Sequence, residues 1–354
     1  MSRLARYMAR RLVAGLLTLF TVVALTFAIY WALPTQPANF VYPEAPSLTD
    51  DQVAHANHLL GLDRPKLVQY GDYVAHLARG DLGQEWTGAQ LVPKNRLVQV
   101  PVGGLLYPAV GATLSIILGG AFFVLLLAVP LGTLAGSRVG SLGDRTISII
   151  ALVGVCTHPM VLGSVLQRGF SGLHLPWPPL SGYCPLLSHA AGCGGPVDWA
   201  GHLVLPWFTF ALLFLALYTR MIRVSVAETL HEDFVRTARA KGAGEARVLR
   251  RHVLPTAALR VLTMVGMEVG TAIGVCVYIE TVYHVGGLGR LAVLAMGGAT
   301  TSIDLPLTLG VVALITLVVV VGNLIVDILY AVLDPRAGRE STLNRDKSLA
   351  GGVI

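Results

Sequence analysis

Residues 229–256, TLHEDFVRTARAKGAGEARVLRRHVLPT, form a dense charged island between two apolar segments that are each long enough to cross a bilayer. Within the island Thr229 and Glu232 stand at capping-box spacing, the small residues Ala238 and Ala240 follow, and Gly242 falls where a helix stops. A second short basic helix comes next and is ended by Pro255. The pattern predicts a helix, a glycine turn and a second helix lying at a membrane surface.

The rest of the chain supplies that membrane. Of 354 residues 54% are hydrophobic and only 13% charged, too apolar and too charge-poor for a soluble protein of this size. A net charge of +6 spread over a soluble domain would suggest nucleic acid, but here the placement of the basic residues decides for a membrane. Arg3, Arg6, Arg10 and Arg11 precede the first apolar run, Arg138 and Arg145 lie in the next alternate connection, nine Lys and Arg fall within 220–260, and four follow Pro335. Nineteen of the 26 basic residues thus lie on one side, which the positive-inside rule makes the cytoplasmic one, with both termini there.

Six spans are expected, at 12–33, 110–135, 146–167, 202–218, 258–282 and 307–329. The first run has no charge from Leu12 to Pro43 and no small-residue cleavage site, so it reads as a retained helix rather than a secretory signal. The segment before Val110 reads as an interfacial lead-in divided by Pro101 and Pro108, and Pro159 is expected to kink the third span. Four parts follow: 1–33, the N-terminus and first helix; 34–109, an extracytoplasmic insert; 110–335, a five-helix core that includes loop 223–257; and 336–354, a polar tail. In the insert Thr49 with Gln52 is set to cap one helix and Pro65 to begin another that runs to Gly80. Gly119, Gly120, Gly132 and Gly136 permit a neighbour to approach the second span closely.

The run Arg236 to Gly242, RTARAKG, followed by His252 and Leu254-Pro255, resembles the cytoplasmic EAA loop of bacterial ABC importer permeases of the dipeptide and oligopeptide branch. Further stretches fit that branch in order. They are Gly61-Leu62-Asp63 with Gln69-Tyr70, Gly80-Asp81-Leu82-Gly83, His202-Leu203-Val204-Leu205-Pro206, Glu280-Thr281, Gly287-Leu288-Gly289, and Asp327 to Tyr330 with Asp334-Pro335-Arg336. The resemblance implies an all-α integral membrane protein with the six-helix type I permease fold in the bacterial inner membrane. It implies one of two homologous permease subunits that share two ABC ATPase subunits and an extracytoplasmic solute-binding protein. No G-x-x-x-x-G-K-[ST] motif occurs, so ATP and Mg would be bound by the partners and no catalytic residue or cofactor belongs to this chain. The resemblance assigns ATPase coupling to Phe234, Val235, Arg236, Ala238, Arg239, Ala240, Lys241 and Gly242. Phe234, Val235 and Ala238 would offer an apolar contact ringed by Arg236, Arg239 and Lys241.

Other residues carry expectations of their own. Glu268, Glu280 and Asp327 are membrane-region carboxylates that suit a translocation path or a helix interface, with the path favoured for Glu280. The same three residues support a rival reading as a proton-coupled secondary transporter, although no internal repeat accompanies them. Gly169-Phe170-Ser171-Gly172 matches the serine word of rhomboid-type intramembrane proteases, but the sixth span holds no histidine base and Ser171 is expected in an outer loop. Cys184 and Cys193 fall on the oxidising side and are a candidate disulfide, the alternative being two free thiols. Cys156 and Cys276 read as packing residues. His55, His58 and His76 form no metal site, for want of a carboxylate or thiolate fixed beside them.

Overall fold

The computed structural model describes residues 3–33, 35–42, 47–87, 90–92, 96–172, 178–186, 193, 195–297 and 302–333. The polar tail and Asp334-Pro335-Arg336 lie outside them. Five described helices are long and apolar enough to cross a membrane: α1 (Arg3–Ala32), α5 (Val102–Ser137), α8 (Pro196–Thr229), α11 (Leu254–Tyr283) and α13 (Leu305–Leu333). Between α1 and α5 lie α2 (Ala38–Val41), α3 (Asp50–Leu59), α4 (Lys66–Ala78) and a small antiparallel hairpin, β1 (Gln90–Val92) with β2 (Arg96–Val98). That hairpin and an isolated antiparallel bridge between Gln84 and Pro101 are the departures from an all-helical chain among the described residues.

Proline explains most differences from the expected spans. The third span is two helices, α6 (Leu142–Cys156) and α7 (Pro159–Gly172), broken at Thr157 and His158. Pro159 opens α7, where a missing N–H costs nothing, so it divides the span instead of kinking it. Pro108 does not break α5, which runs through it for 36 residues; the expected lead-in is the first two turns of the helix. Pro255 likewise lies inside α11. A π-helical turn, Leu249–Val253, joins the short α10 (Glu245–Val248) directly to α11, so the basic helix runs on into the span instead of ending.

The chain forms two compact units. The first comprises Met1–Leu118, Gly163–Pro206 and Ile273–Val318, and its core has two parts. Val23, Phe27 and Tyr30 of α1 pack with Trp86, Leu305, Leu309 and Ala313, while Leu82, Val102, Leu106 and Ala109 pack with Leu307, Val311 and both ends of α12 (Leu288–Ala295). In the insert the capping box of Thr49 and Gln52 is formed, with Oγ1 of Thr49 accepting from the Gln52 N–H at 3.4 Å and Oε1 of Gln52 accepting from the Thr49 N–H at 3.0 Å.

The second unit comprises Gly119–Leu162, Trp207–Ala272 and Val319–Ile354. Here α5 and α8 touch through glycines: a Cβ at Gly119 would stand 2.1 Å from Nε1 of Trp207, and one at Gly136 2.6 Å from the Arg223 carbonyl oxygen. Such contact lets backbones associate by dispersion where lipid removes the hydrophobic drive. Large apolar side chains on several long helices stay uncovered within the chain, among them Leu12, Leu16 and Phe20 of α1 and Ile325 of α13.

Candidate functional site

The charged island folds into short helices packed on buried valines. After α8 ends at Thr229 the chain turns and forms α9 (Asp233–Ala240). The expected capping box is absent, because Thr229 still belongs to α8 and its hydroxyl donates to the Ser225 carbonyl at 2.7 Å. Glu232 is itself the N-cap, with Asp233 placed favourably in the first turn. Gly242 stops the helix in the left-handed region at φ +80°, which a β-carbon would disfavour, and the Ala243 N–H closes the turn on the Ala238 carbonyl at 3.1 Å.

Side-chain placement corrects the expected contact surface. Val235 is fully buried, as are Val248 and Val253, so Val235 is not on the exposed face of α9. Phe234 is 44% exposed and Ala238 half-buried, which leaves these two as the apolar patch. Arg239 pairs with Glu245 through Nε and Nη2 at 2.8 and 3.1 Å, bridging the two limbs of the glycine turn. This partner holds the Glu245 carboxyl below its ordinary range. Arg236 stands 3.7 Å from Asp233, and Arg236, Ala240 and Lys241 are exposed. A second clamp, Arg260 of α11 on Glu228 of α8, ties the helices flanking the island.

In the first unit two buried carboxylates fix backbone. Glu280, fully buried near the end of α11, accepts from the Thr113 hydroxyl of α5 at 2.6 Å and from the Arg290 N–H of α12 at 2.9 Å, while Oγ1 of Thr113 accepts from the Leu288 N–H at 2.9 Å. A Cβ at Gly287 would sit 2.3 Å from the Glu280 carboxylate and one at Gly289 2.6 Å from Cα of Val277, so neither position has room for a side chain. Glu280 thus lies where α11 meets α5 and α12.

The second carboxylate, Asp304, was not among the sequence candidates. It is fully buried, caps α13 through the Leu307 N–H at 3.0 Å, and accepts from the Trp86 N–H at 2.6 Å, the Thr87 N–H at 2.8 Å and the Thr87 hydroxyl at 2.9 Å. The insert is thereby bound to the start of the sixth span. Beside it Glu85 is 8% exposed, and desolvation first, then the Asp304 charge, raises its carboxyl above the ordinary range. The sequence signal was present in the word Asp304-Leu305-Pro306, an N-cap residue followed by proline in the first turn.

Glu268 and Asp327 are half-buried in the second unit, Glu268 on α11 near enough to Tyr218 of α8 for its charge to act there. Cys184 and Cys193 form a disulfide with Cα atoms 5.5 Å apart, and Cys276 is a buried free thiol; nothing is described of the Cys156 side chain. Among the described residues no three potential ligands gather to hold a metal. His58 and His76 do have fixed carboxylates, but a separate one each, Asp63 and Asp81, both at 2.9 Å. Ser171 lies in the last turn of α7, not in a loop.

Against known proteins, residues 128–339 match the family model described as binding-protein-dependent transport system inner membrane component, and residues 4–90 match the model of its N-terminal part. The di/tripeptide transport system permease protein DppB of Pseudomonas aeruginosa is 34% identical over 93% of this chain and 98% of its own length. The oligopeptide transport system permease protein AppB of Bacillus subtilis is 31% identical over 94% and 99%, and the dipeptide transport system permease protein DppB of Escherichia coli K12 is 30% identical over 94% and 98%. Among solved structures an inward-facing form of the MetNI methionine ABC transporter superposes with a TM-score of 0.51 at 18% identity, covering 65% of this chain and 97% of that one. That likeness concerns the fold.

Proposed function

The chain belongs to the family of binding-protein-dependent transport system inner membrane components, and from that premise we propose that it is one permease subunit of an ATP-driven ABC importer for peptides or a related small solute. It is a multi-pass membrane protein and a transport subunit rather than an enzyme. The observation that carries the peptide reading is the match to peptide permeases along almost the whole chain.

In this reading a second homologous permease completes the pathway, two ABC ATPase subunits bind ATP and Mg on the cytoplasmic side, and an extracytoplasmic solute-binding protein delivers cargo. Both termini and α9 are cytoplasmic. The surface of α9 seats in a groove on an ATPase, with Phe234 and Ala238 as its apolar contact and Arg236 and Lys241 at its rim. Closure of the ATPases is passed through Val235, Val248 and Val253 to α8 and α11. Driving a gate from 1:99 to 99:1 takes about 5.5 kcal/mol of differential interaction, so the joint must be stiff.

The test is reconstitution of the chain with its partner subunits in vesicles loaded with ATP, followed by uptake of a labelled dipeptide. Uptake that needs ATP, both ATPases and the solute-binding protein is the expected result. Uncoupler-sensitive uptake by this chain alone would instead establish the proton-coupled carrier.

A further inference from the structure

The connection between α5 and α6 carries a second exposed surface that the transport reading does not use. On one face of α6 Leu142 is 81% exposed, Arg145 is exposed, and Ile149 and Leu152 are each 63% exposed, at spacings of three, four and three. Just before them Arg138 is exposed and Val139 is 60% exposed, continuing from Leu134 of α5 at 58%. The turn is held in one shape. Oδ2 of Asp144 accepts from the Gly140 N–H at 2.9 Å and from Nη2 of Arg223 at 2.7 Å, and Oγ of Ser141 caps α6 by accepting from the Asp144 N–H at 3.2 Å.

The one acid of this turn is therefore turned inward and neutralised by Arg223 of α8, although Arg145 also acts on its charge. What faces outward is two cations among large apolar side chains. We propose that residues 138–145 form an interfacial site for anionic phospholipid, with Val139 and Leu142 seated at the acyl boundary and Arg138 and Arg145 on the phosphodiester headgroup. Two observations favour lipid over a protein partner. The turn follows directly on α5, a helix long and apolar enough to cross a membrane, and its two cations lie among exposed apolar side chains, Leu134, Val139 and Leu142 before Arg145 and Ile149 and Leu152 after it, the mixture that suits a membrane interface. A rigid turn also lowers the ordering entropy of binding.

The experiment places a fluorophore at position 142 by Leu142→Cys in a Cys156→Ala background of the complete transporter. The complex is reconstituted with quencher-labelled phosphatidylglycerol or quencher-labelled phosphatidylcholine at equal mole fraction. Each arginine near an anionic surface favours it by about fivefold, so preferential quenching by phosphatidylglycerol is expected. The preference should vanish in Arg138→Gln/Arg145→Gln and survive in Arg138→Lys/Arg145→Lys. Inorganic phosphate at matched ionic strength should leave it unchanged. Equal quenching by the two lipids, a preference untouched by the Gln pair, or competition by free phosphate would each overturn the proposal. So would an absence of quenching in the complete complex that appears once the ATPases are stripped, because the surface would then belong to them.

Discussion

Two charged regions of this chain use ionic groups in opposite ways. Around Asp304 and Glu280 the carboxylates are fully buried and spend their lone pairs on backbone N–H groups and hydroxyls, so charge fixes the main chain. Around α9 the charges are exposed and the buried groups are valines, so apolar packing fixes the main chain and charge is left on the surface. A buried carboxylate that meets several donors is costly to remove because it leaves those donors orphaned, whereas an exposed ion pair adds little to stability. The first region fixes the main chain through buried charge, and the second through buried valines, with its charges at the surface.

The contrast predicts where substitutions will tell most on stability. Asp304→Ala strands three buried or part-buried N–H groups and the Thr87 hydroxyl, and should destabilise by about 3 kcal/mol or more. Thermal unfolding of the purified complex and its abundance in the membrane would both fall. A variant as stable as the parent would show that the insert is not held by this residue.

Glu280→Gln is the next largest. It keeps the shape but loses charge assistance toward Thr113 and Arg290 and turns an amide donor toward one of them, at a cost of roughly 2 kcal/mol. Loss of assembled complex should accompany any loss of uptake. Normal assembly with altered transport would return Glu280 to the translocation path.

The smallest effect is a pH dependence at Glu85. Its carboxyl is raised in the folded protein, so between the unfolded and folded values the folded state holds more protons, and stability declines as pH rises through that window. The hold of the insert should be firmest in acid and slacken as Glu85 ionises. In Glu85→Gln this part of the slope should flatten, as followed by proteolysis of the insert across pH. An unchanged slope would assign the dependence to other groups.

Much of this was legible beforehand, for physical reasons. Long charge-free runs announce spans because length and apolarity alone decide insertion, and the Thr49 and Gln52 box and the Gly242 stop are local chemistry that needs no tertiary partner. Pro108 and Pro255 misled, because a helix tolerates proline where the freed carbonyl is met or the winding relaxes, as the π-helical turn before α11 does. Thr229 and Glu232 had the right spacing but the wrong register, since α8 ran on through Thr229. Val235 and Phe234 are both apolar and adjacent, and only packing decides which is buried. Asp304 carried a local N-cap signal, but its hold on the insert could not be read because Trp86 and Thr87 lie more than two hundred residues away.

The central claim is that α9 transmits the state of partner ATPases to the spans through a stiff glycine-ended lever, and uptake by Ala238→Glu and Gly242→Val tests it most directly. Ala238→Glu puts a charge in the small contact beside Phe234, and Gly242→Val sets a β-branched residue at φ +80°. Measured together with membrane abundance and co-purifying ATPase, both variants should reach the membrane at normal level and fail to take up solute, Ala238→Glu through lost docking and Gly242→Val through lost coupling. Normal uptake by both at normal abundance would contradict the account.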